Sequence, residues 1–417
     1  MRICLLSYRS YRYSGGQGIY LRYLSRSLRD LGHEIDVVSG PPYPDLDDGI
    51  SLIKLPSLDL YSMSSNQRLL INPRKLNTLP NLVEWLGIIS GYFAEPLTFG
   101  MRAHGLIRNS GNRKYDIVHD NQTLSYGVLK IREMGYPVVE TVHHPVTIDR
   151  DLAVKSATSL KDKLGLMRWF SFINMQIKVA RSLSHIITVS HTARRHIAKT
   201  FGISEDTLRV VYNGINTDIF SPSPKVNRLE NRLLVVISRD TAVKGLRYML
   251  EALAVLRQKH DLTLTVVAKE TDNSTTQKLI SNLGIRDYVK FIDGIDTAEL
   301  INQYRSASIA VIPSIYEGFG LPAAEAMACG TPVVSTTAGA LPEVVGDAGI
   351  LVPPADTKAL AEAISALVAS PNKRKHLGEM GRKRIVQTFN WQNTAKATAD
   401  VYAEAIEHQK YLKGNGK

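Results

Sequence analysis

The sequence predicts an α/β protein of two successive halves, each a parallel sheet wound with helices. Three observations carry that expectation. The chain has 417 residues, more than one hydrophobic core usually serves. Short β-branched runs alternate with amphipathic stretches along most of its length. The alternation restarts after Pro222 and Pro224, without sequence self-similarity between the halves.

The first half opens on a buried strand, Ile3-Cys4-Leu5-Leu6-Ser7, and a loop, Ser14-Gly15-Gly16-Gln17-Gly18. A helical pattern follows (Ile19, Tyr20, Tyr23, Leu24, Leu28, Leu31), stops at Gly32, and gives way to a strand over 35–39. Strand, glycine loop, helix, strand is a βαβ unit. Further strands are expected at 117–119, 138–142 and 186–190. Residues 56–110 carry aromatic and apolar clusters with helix-like spacing but few caps. In the second half, strands are expected at 233–237, 262–267, 290–292, 309–312 and 333–335. Helices are expected at 246–259, near 275–283, 297–306 and 322–329, and over 391–412.

Composition narrows the class. Apolar residues are 44% and charged ones 22%, the balance of a globular chain. No apolar run approaches the ~18 residues of a spanning helix, and the run in MRICLLSYRS is too short for a signal-peptide core. Cys4 and Cys329 stand in apolar surroundings, which argues against a disulfide framework. A cytoplasmic protein is expected. Net charge is +12, and residues 1–212 hold 27 basic against 18 acidic side chains. Within 155–199, nine basic residues face one acidic residue, Asp162. Over 160–183 an apolar stripe (Leu160, Leu164, Met167, Phe170, Ile173, Ile177, Ala180, Leu183) runs beside Lys161, Lys163, Arg168, Lys178 and Arg181. That pattern fits an anionic membrane surface or a core-facing helix with solvated charges, and both readings stand.

The segment Pro313–Pro332 carries the most chemistry. It leaves a buried strand, crosses a glycine-rich loop and enters a helix with Pro322 near its first position. Ligands of open α/β sheets gather at such strand ends. Gly318 and Gly320 admit close backbone approach, and the helix start offers N–H groups to an anion. Glu317 and Glu325 suit hydroxyl donors, those of a ribose and a sugar, because carboxylates only accept.

This segment resembles the E-x7-E signature of retaining glycosyltransferases of family 4. The similarity extends through Gly15-Gly16, Tyr212-Asn213-Gly214-Ile215-Asn216, Arg239, Lys244-Gly245, Gly339-Ala340-Leu341-Pro342-Glu343 and Phe389-Asn390-Trp391. The resemblance implies a GT-B architecture, two Rossmann-like doubly wound domains facing each other across a cleft. The expected bounds are 1–217 for the acceptor side, 218–390 for the donor side, and 391–417 for a last helix packing back toward the first domain. It further implies a nucleotide-diphosphate-sugar donor, a UDP- or GDP-sugar foremost, an α-linked product, no cofactor and no metal. Glu325 would bind the ribose and Glu317 the donor sugar, with Gly318, Phe319, Gly320 and Leu321 lining the loop. Arg239 and Lys244 would neutralise the departing diphosphate, and Gly15 and Gly16 would approach it. Ser238 stands where the family often has Gly.

The family's sugar-proximal histidine falls on His143, with His144 the rival; His119 and Asn121, at another strand end, are candidates for the acceptor side along with His144. In the family's favoured front-face displacement the leaving phosphate takes the acceptor's proton, so His143 can serve by hydrogen bonding alone. No Cys/His cluster has zinc spacing, and Asp45, Asp47 and Asp48 lie in a Pro-rich loop. An NAD-dependent oxidoreductase is disfavoured because G-x-G-x-x-G is missing after the first strand and no acidic residue ends the second. A nucleic-acid-binding protein is disfavoured because no module signature accompanies the charge. A sugar-nucleotide isomerising enzyme of similar fold remains the nearest alternative.

Overall fold

The computed structural model describes residues 1–10, 16–111, 114–157, 159–237, 241–270 and 275–414. They form two compact units. The first comprises Met1–Val189, Ala193–Val211 and Thr394–Lys417, and the second Ser190–Thr192 and Tyr212–Asn393. The last helix, Trp391–Gly414, thus lies with the first unit from Thr394 onward.

The first unit holds seven strands: β1 (Arg2–Ser7), β2 (Glu34–Ser39), β3 (Ser51–Lys54), β4 (Ile117–Asn121), β5 (Val138–Val142), β6 (Ile186–Thr188) and β7 (Leu208–Val210). They pair in the order β3-β2-β1-β4-β5-β6-β7, every neighbour parallel. Parallel strands covered on both faces read as unbroken apolar runs, which is why β1 buries Ile3 through Ser7 in succession. The order turns back between β1 and β4. Loops leaving the carboxyl ends of those two strands therefore border a natural ligand crevice.

The second unit repeats the plan with β8 (Leu229–Val236), β9 (Thr263–Val267), β10 (Val289–Ile292), β11 (Ala307–Ile312), β12 (Val333–Thr336) and β13 (Ile350–Val352). Their order is β10-β9-β8-β11-β12-β13, again all parallel. The order reverses between β8 and β11. Leu233, Val235, Ile309, Val311 and Val334 meet in the core with Met249, Leu250 and Leu253 of helix Leu246–Leu256. Burying each such side chain contributes roughly 1.5–3 kcal/mol. Helix Leu321–Ala328, which begins just past the end of β11, is buried from Ala323 through Ala328, and small alanines let it pack closely.

Three departures from the sequence reading stand out. β3, β7 and β13 were not foreseen: they are edge strands of three or four residues, too short for a clear period. Residues 56–110 resolve into helices, chiefly Leu79–Ile89 and Glu95–Asn109. The stripe over 160–183 is not one helix. It breaks into helix Leu160–Trp169, a 3-10 turn Phe170–Phe172 and helix Ile173–Arg181. Ile173, Val179, Ala180 and Leu183 are buried, whereas Leu160, Leu164 and Met167 are 80%, 66% and 58% exposed.

Candidate active site

In the second unit the chain leaves β11 at Ile312 and forms the loop Pro313–Gly320 before helix Leu321–Ala328. The loop is fixed from both sides. Ile315 N–H donates to Val243 O at 2.8 Å, joining it to the turn that carries Lys244. Thr336 Oγ1 donates to Ser314 O at 2.6 Å, and Ala340 N–H to Glu317 O at 2.9 Å. Gly339 has φ +59°, and a Cβ there would stand 2.1 Å from Glu317 O, so no other residue fits that contact.

The Glu317 carboxylate is the hub. Its Oε1 accepts from Lys244 Nζ at 2.8 Å and from Ser314 Oγ at 2.9 Å. The pair is mostly shielded, Lys244 by three quarters and Glu317 by nine tenths. Gly318 O accepts from Ser190 Oγ at 2.9 Å. Phe319 points its ring into an aromatic cluster with Tyr212 and Phe389, at centroid distances of 6.4 and 5.7 Å. It anchors the loop and leaves only backbone to a ligand. Gly320, at φ +100°, precedes Leu321 and turns the chain into the helix, whose start offers the N–H groups of Gly320 and Leu321, since Pro322 has none and Ala323 N–H donates to Gly320 O at 3.0 Å.

Glu325 sits inside that helix, buried, with Oε2 accepting from Tyr304 OH at 2.8 Å. Burial pushes its carboxyl up to about 7, against the Tyr304 hydrogen bond, which pulls the other way. Glu343 behaves differently. Burial acts on it too, but donation from His191 N–H, Thr192 N–H, Thr192 Oγ1 and Tyr212 OH holds it below its ordinary value.

In the first unit the ends of β4 and β5 bring three predicted residues together. His143 Nε2 lies 2.8 Å from Asn121 Oδ1, and the His143 ring stands edge-on to Tyr20 at 4.7 Å. Bonded to a carbonyl oxygen, Nε2 carries the proton and Nδ1 keeps its lone pair. Burial, aided by His144 and His119, lowers His143 to about 3, so the imidazole is neutral. His143 N–H donates to Gln122 Oε1 at 2.8 Å, and Gln122 Nε2 to His144 O at 3.3 Å. His144 Nε2 is 2.8 Å from Asp149 Oδ2. His119 is interior: Nδ1 meets Tyr402 OH and Nε2 meets Thr141 Oγ1, both at 2.6 Å, so both ring nitrogens are engaged within the unit.

Gly16 opens helix Gly16–Asp30 beyond the end of β1. Gly15 and Arg239 lie outside the described residues. No group of His, Cys, Asp and Glu able to hold a metal occurs among the described residues. Sequence reasoning missed Ser314, Tyr304 and Gln122, because each reaches the site through a partner that only folding supplies. Chemically, the second-unit cluster pairs a cation and a helix start, suited to phosphate, with two carboxylates suited to hydroxyls.

Comparison with known proteins agrees with this chemistry. Residues 14–219 match the family model described as Glycosyltransferase Family 4, and residues 220–384 that described as Glycosyl transferases group 1. The chain is 44% identical over 411 residues to the MMP alpha-(1->4)-mannosyltransferase of Mycolicibacterium hassiacum, covering 97% of this chain and 98% of the relative. Among solved structures, sucrose-phosphate synthase from Thermosynechococcus elongatus aligns with a TM-score of 0.75 and 23% identity over 98% of this chain and 99% of that one. Anabaena HepE in complex with UDP-glucose aligns with a TM-score of 0.70 and 17% identity, over 97% and 100%. These last two bear on the fold, which they share.

Proposed function

Because the chain belongs to glycosyltransferase family 4, we propose that it transfers a sugar, with retention, from a nucleotide-diphosphate donor held by the second unit to an acceptor hydroxyl. One observation carries this reading: Lys244, Ser314 and Glu317 converge on the loop at the start of helix Leu321–Ala328, with Glu325 eight residues further on. The donor diphosphate would meet Lys244, Arg239 and the helix N–H groups, its ribose Glu325, and its sugar Glu317. The bond from the anomeric carbon to the phosphate oxygen breaks, and a bond to the acceptor oxygen forms on the same face. The acceptor's proton passes to the departing phosphate oxygen, which preorganised positive charge stabilises. His143, neutral at physiological pH, serves as a hydrogen-bonding group and not as a base.

The mannosyltransferase relative makes an α-(1→4)-mannosyl transfer the first reaction to test. A thermal-shift panel of GDP-mannose, UDP-glucose, ADP-glucose and TDP-glucose should give one dominant hit, unchanged by EDTA. No hit with any of them would overturn the reading. Dependence on chelatable Mg²⁺ or Mn²⁺ would overturn its metal-free part. Consumption of the donor without an acceptor would favour the isomerising alternative.

A peripheral membrane contact is a second reading, favoured by the exposed apolar side chains. Leu79, Leu86 and Ile89 of helix Leu79–Ile89, and Leu160, Leu164 and Met167 of helix Leu160–Trp169, face solvent. Arg168 donates to Ser90 O and Oγ, which puts the ends of the two helices side by side. Arg74, Lys75, Lys161 and Lys163 add positive charge near them. No described helix is long and apolar enough to cross a membrane. Liposomes rich in anionic lipid should therefore carry the protein upward in a flotation gradient at low salt, and neutral ones should not. Replacing Lys161, Lys163, Leu160 and Leu164 by Gln should release it, since each basic residue contributes about 1 kcal/mol at such a surface. Indifference to lipid charge would remove this reading and leave the transferase intact.

A further inference from the structure

β4 and β5 place two acids directly opposite each other at the centre of the first-unit sheet. Asp120 pairs in register with Glu140, and both are fully buried. Their oxygens are unequally served. Asp120 Oδ2 accepts from Leu124 N–H at 2.9 Å, and the Thr123 amide also favours its charged form. Neither Glu140 oxygen has an ordinary hydrogen-bond donor, and Asp120 Oδ1 has none either, although the nearby Gln122 amide favours a charged Glu140. The charge acting on Glu140 is that of Asp120. Two adjacent ionised carboxylates repel each other, and a fully buried position leaves each charge costly. A single proton between them resolves the conflict and joins one Glu140 oxygen to Asp120.

We propose that Glu140 is a positioning residue: as a neutral carboxylic acid it donates its proton to the Asp120 carboxylate, and the dyad fixes the turn that sets His143. The proton belongs on Glu140 because Asp120 accepts from the Leu124 amide and is favoured by the Thr123 amide as well, whereas only the Gln122 amide favours a charged Glu140. Desolvation, and then the charge of Asp120, push the Glu140 carboxyl far above the ordinary range, in agreement with that assignment. From the β1 segment, Cys4 and Tyr8 feel the charge of Asp120. Burial pushes both thiol and phenol up, the latter to about 12, so both stay neutral. His119 and His143 are neutral as well.

The turn needs such an anchor. Gln122 and Leu124 both adopt left-handed backbone, at φ 59° and 49°, a conformation unfavourable for residues with side chains. The hydrogen bond from Leu124 N–H to Asp120 holds one of them, and Gln176 Nε2 donates to Gln122 O and Thr123 O. Asn121 and Gln122, carried by the turn, then bind the His143 ring and its amide. The chain of contacts runs from a proton in the sheet to the imidazole. Its value for turnover rests on the role given to His143 above, but the dyad itself does not.

The test compares Glu140→Gln, which keeps a donor toward Asp120, with Glu140→Leu, which has none. Unfolding of the wild type should release one proton from Glu140. A folded-state value raised above the unfolded one means stability present at low pH and lost as pH rises. The ratio of unfolding constants, wild type over Glu140→Gln, should therefore climb roughly tenfold per pH unit above about pH 5. In ¹³C-histidine-labelled protein, the His143 ring signal, assigned through His143→Asn, should be unchanged in Glu140→Gln and displaced in Glu140→Leu. If Glu140→Leu does not fold, Asp120→Asn should displace the same signal. Well above pH 7, where Glu95 and Glu325 are ionised, an infrared band of a protonated carboxyl should remain in the wild type and vanish in Glu140→Gln. A flat stability ratio, or a protonated-carboxyl band that persists in Glu140→Gln, overturns the dyad. An unmoved His143 signal in a folded Glu140→Leu or Asp120→Asn overturns the positioning role.

Discussion

Lys244→Ala should lower turnover by roughly 10²–10³-fold, the usual loss when one preorganised stabiliser of developing charge is removed. Lys244 Nζ is held 2.8 Å from Glu317 Oε1. A donor diphosphate competes for that ammonium, and the competition tips toward phosphate as negative charge builds on the departing oxygen. The variant also leaves Glu317, nine tenths shielded, with Ser314 as its remaining side-chain partner. That unpaired carboxylate would repel the diphosphate and raise the donor KM as well. The double variant Lys244→Ala/Glu317→Gln separates the two effects. It should recover part of the donor binding, since Gln keeps one acceptor oxygen for the sugar, but not turnover, if the cation acts in the transition state. A Lys244→Ala enzyme with normal kcat and a raised KM alone would show the lysine binding ground and transition states equally. Lys244→Arg should recover only part of the rate, because a planar fork cannot occupy the position of a point charge.

How much of this was legible beforehand depends on whether the signal was local. Glu317, Gly318, Gly320 and Glu325 lie in one contiguous strand–loop–helix segment, so their order in the chain already placed them. Lys244 was found by resemblance, and the structure brings its ammonium to Glu317 across 73 residues of sequence. Tyr304 was read only as part of a helix, since nothing local says that its hydroxyl meets Glu325. Glu140 was read only as part of the strand expected at 138–142, since its partner appears only when β4 and β5 pair in register. Among elements, β1 and β11 were readable because full burial writes continuous apolar runs. Helix Pro371–Thr388 was invisible for the opposite reason. It is rich in Lys and Arg, and only five of its residues are buried. Helix Leu160–Trp169 left two readings open, because its stripe continues the period of the buried helix that follows while facing solvent itself.

Glu325→Ala should weaken binding of the nucleotide sugar by about 1–3 kcal/mol, roughly 5- to 150-fold in Kd, the cost of leaving buried hydroxyls without an acceptor. The same residue should write a pH limb into donor binding. Burial raises the Glu325 carboxyl to about 7, so the free protein carries the acid form below that pH. Two ribose hydroxyls donate best to a carboxylate, and an acid proton competes for the same oxygens. Donor KM should therefore rise as pH falls below about 7, by at most tenfold per unit, and binding near neutrality should expel a proton. Tyr304→Phe removes the hydrogen bond that favours the charged form, so the limb should move to higher pH without disappearing. Glu325→Gln should abolish the limb and keep a uniformly weaker affinity. For folding the sign is opposite to that of a salt-bridged carboxylate. A raised folded-state value makes Glu325 a growing cost as pH rises from the ordinary carboxyl range to about 7. Glu325→Ala at pH 8 should thus unfold no more easily than wild type on this account, so a loss of affinity there cannot be blamed on misfolding. A donor KM that stays flat from pH 5 to 8 in the wild type, or a Glu325→Ala protein with unchanged donor affinity, would take the ribose away from this residue.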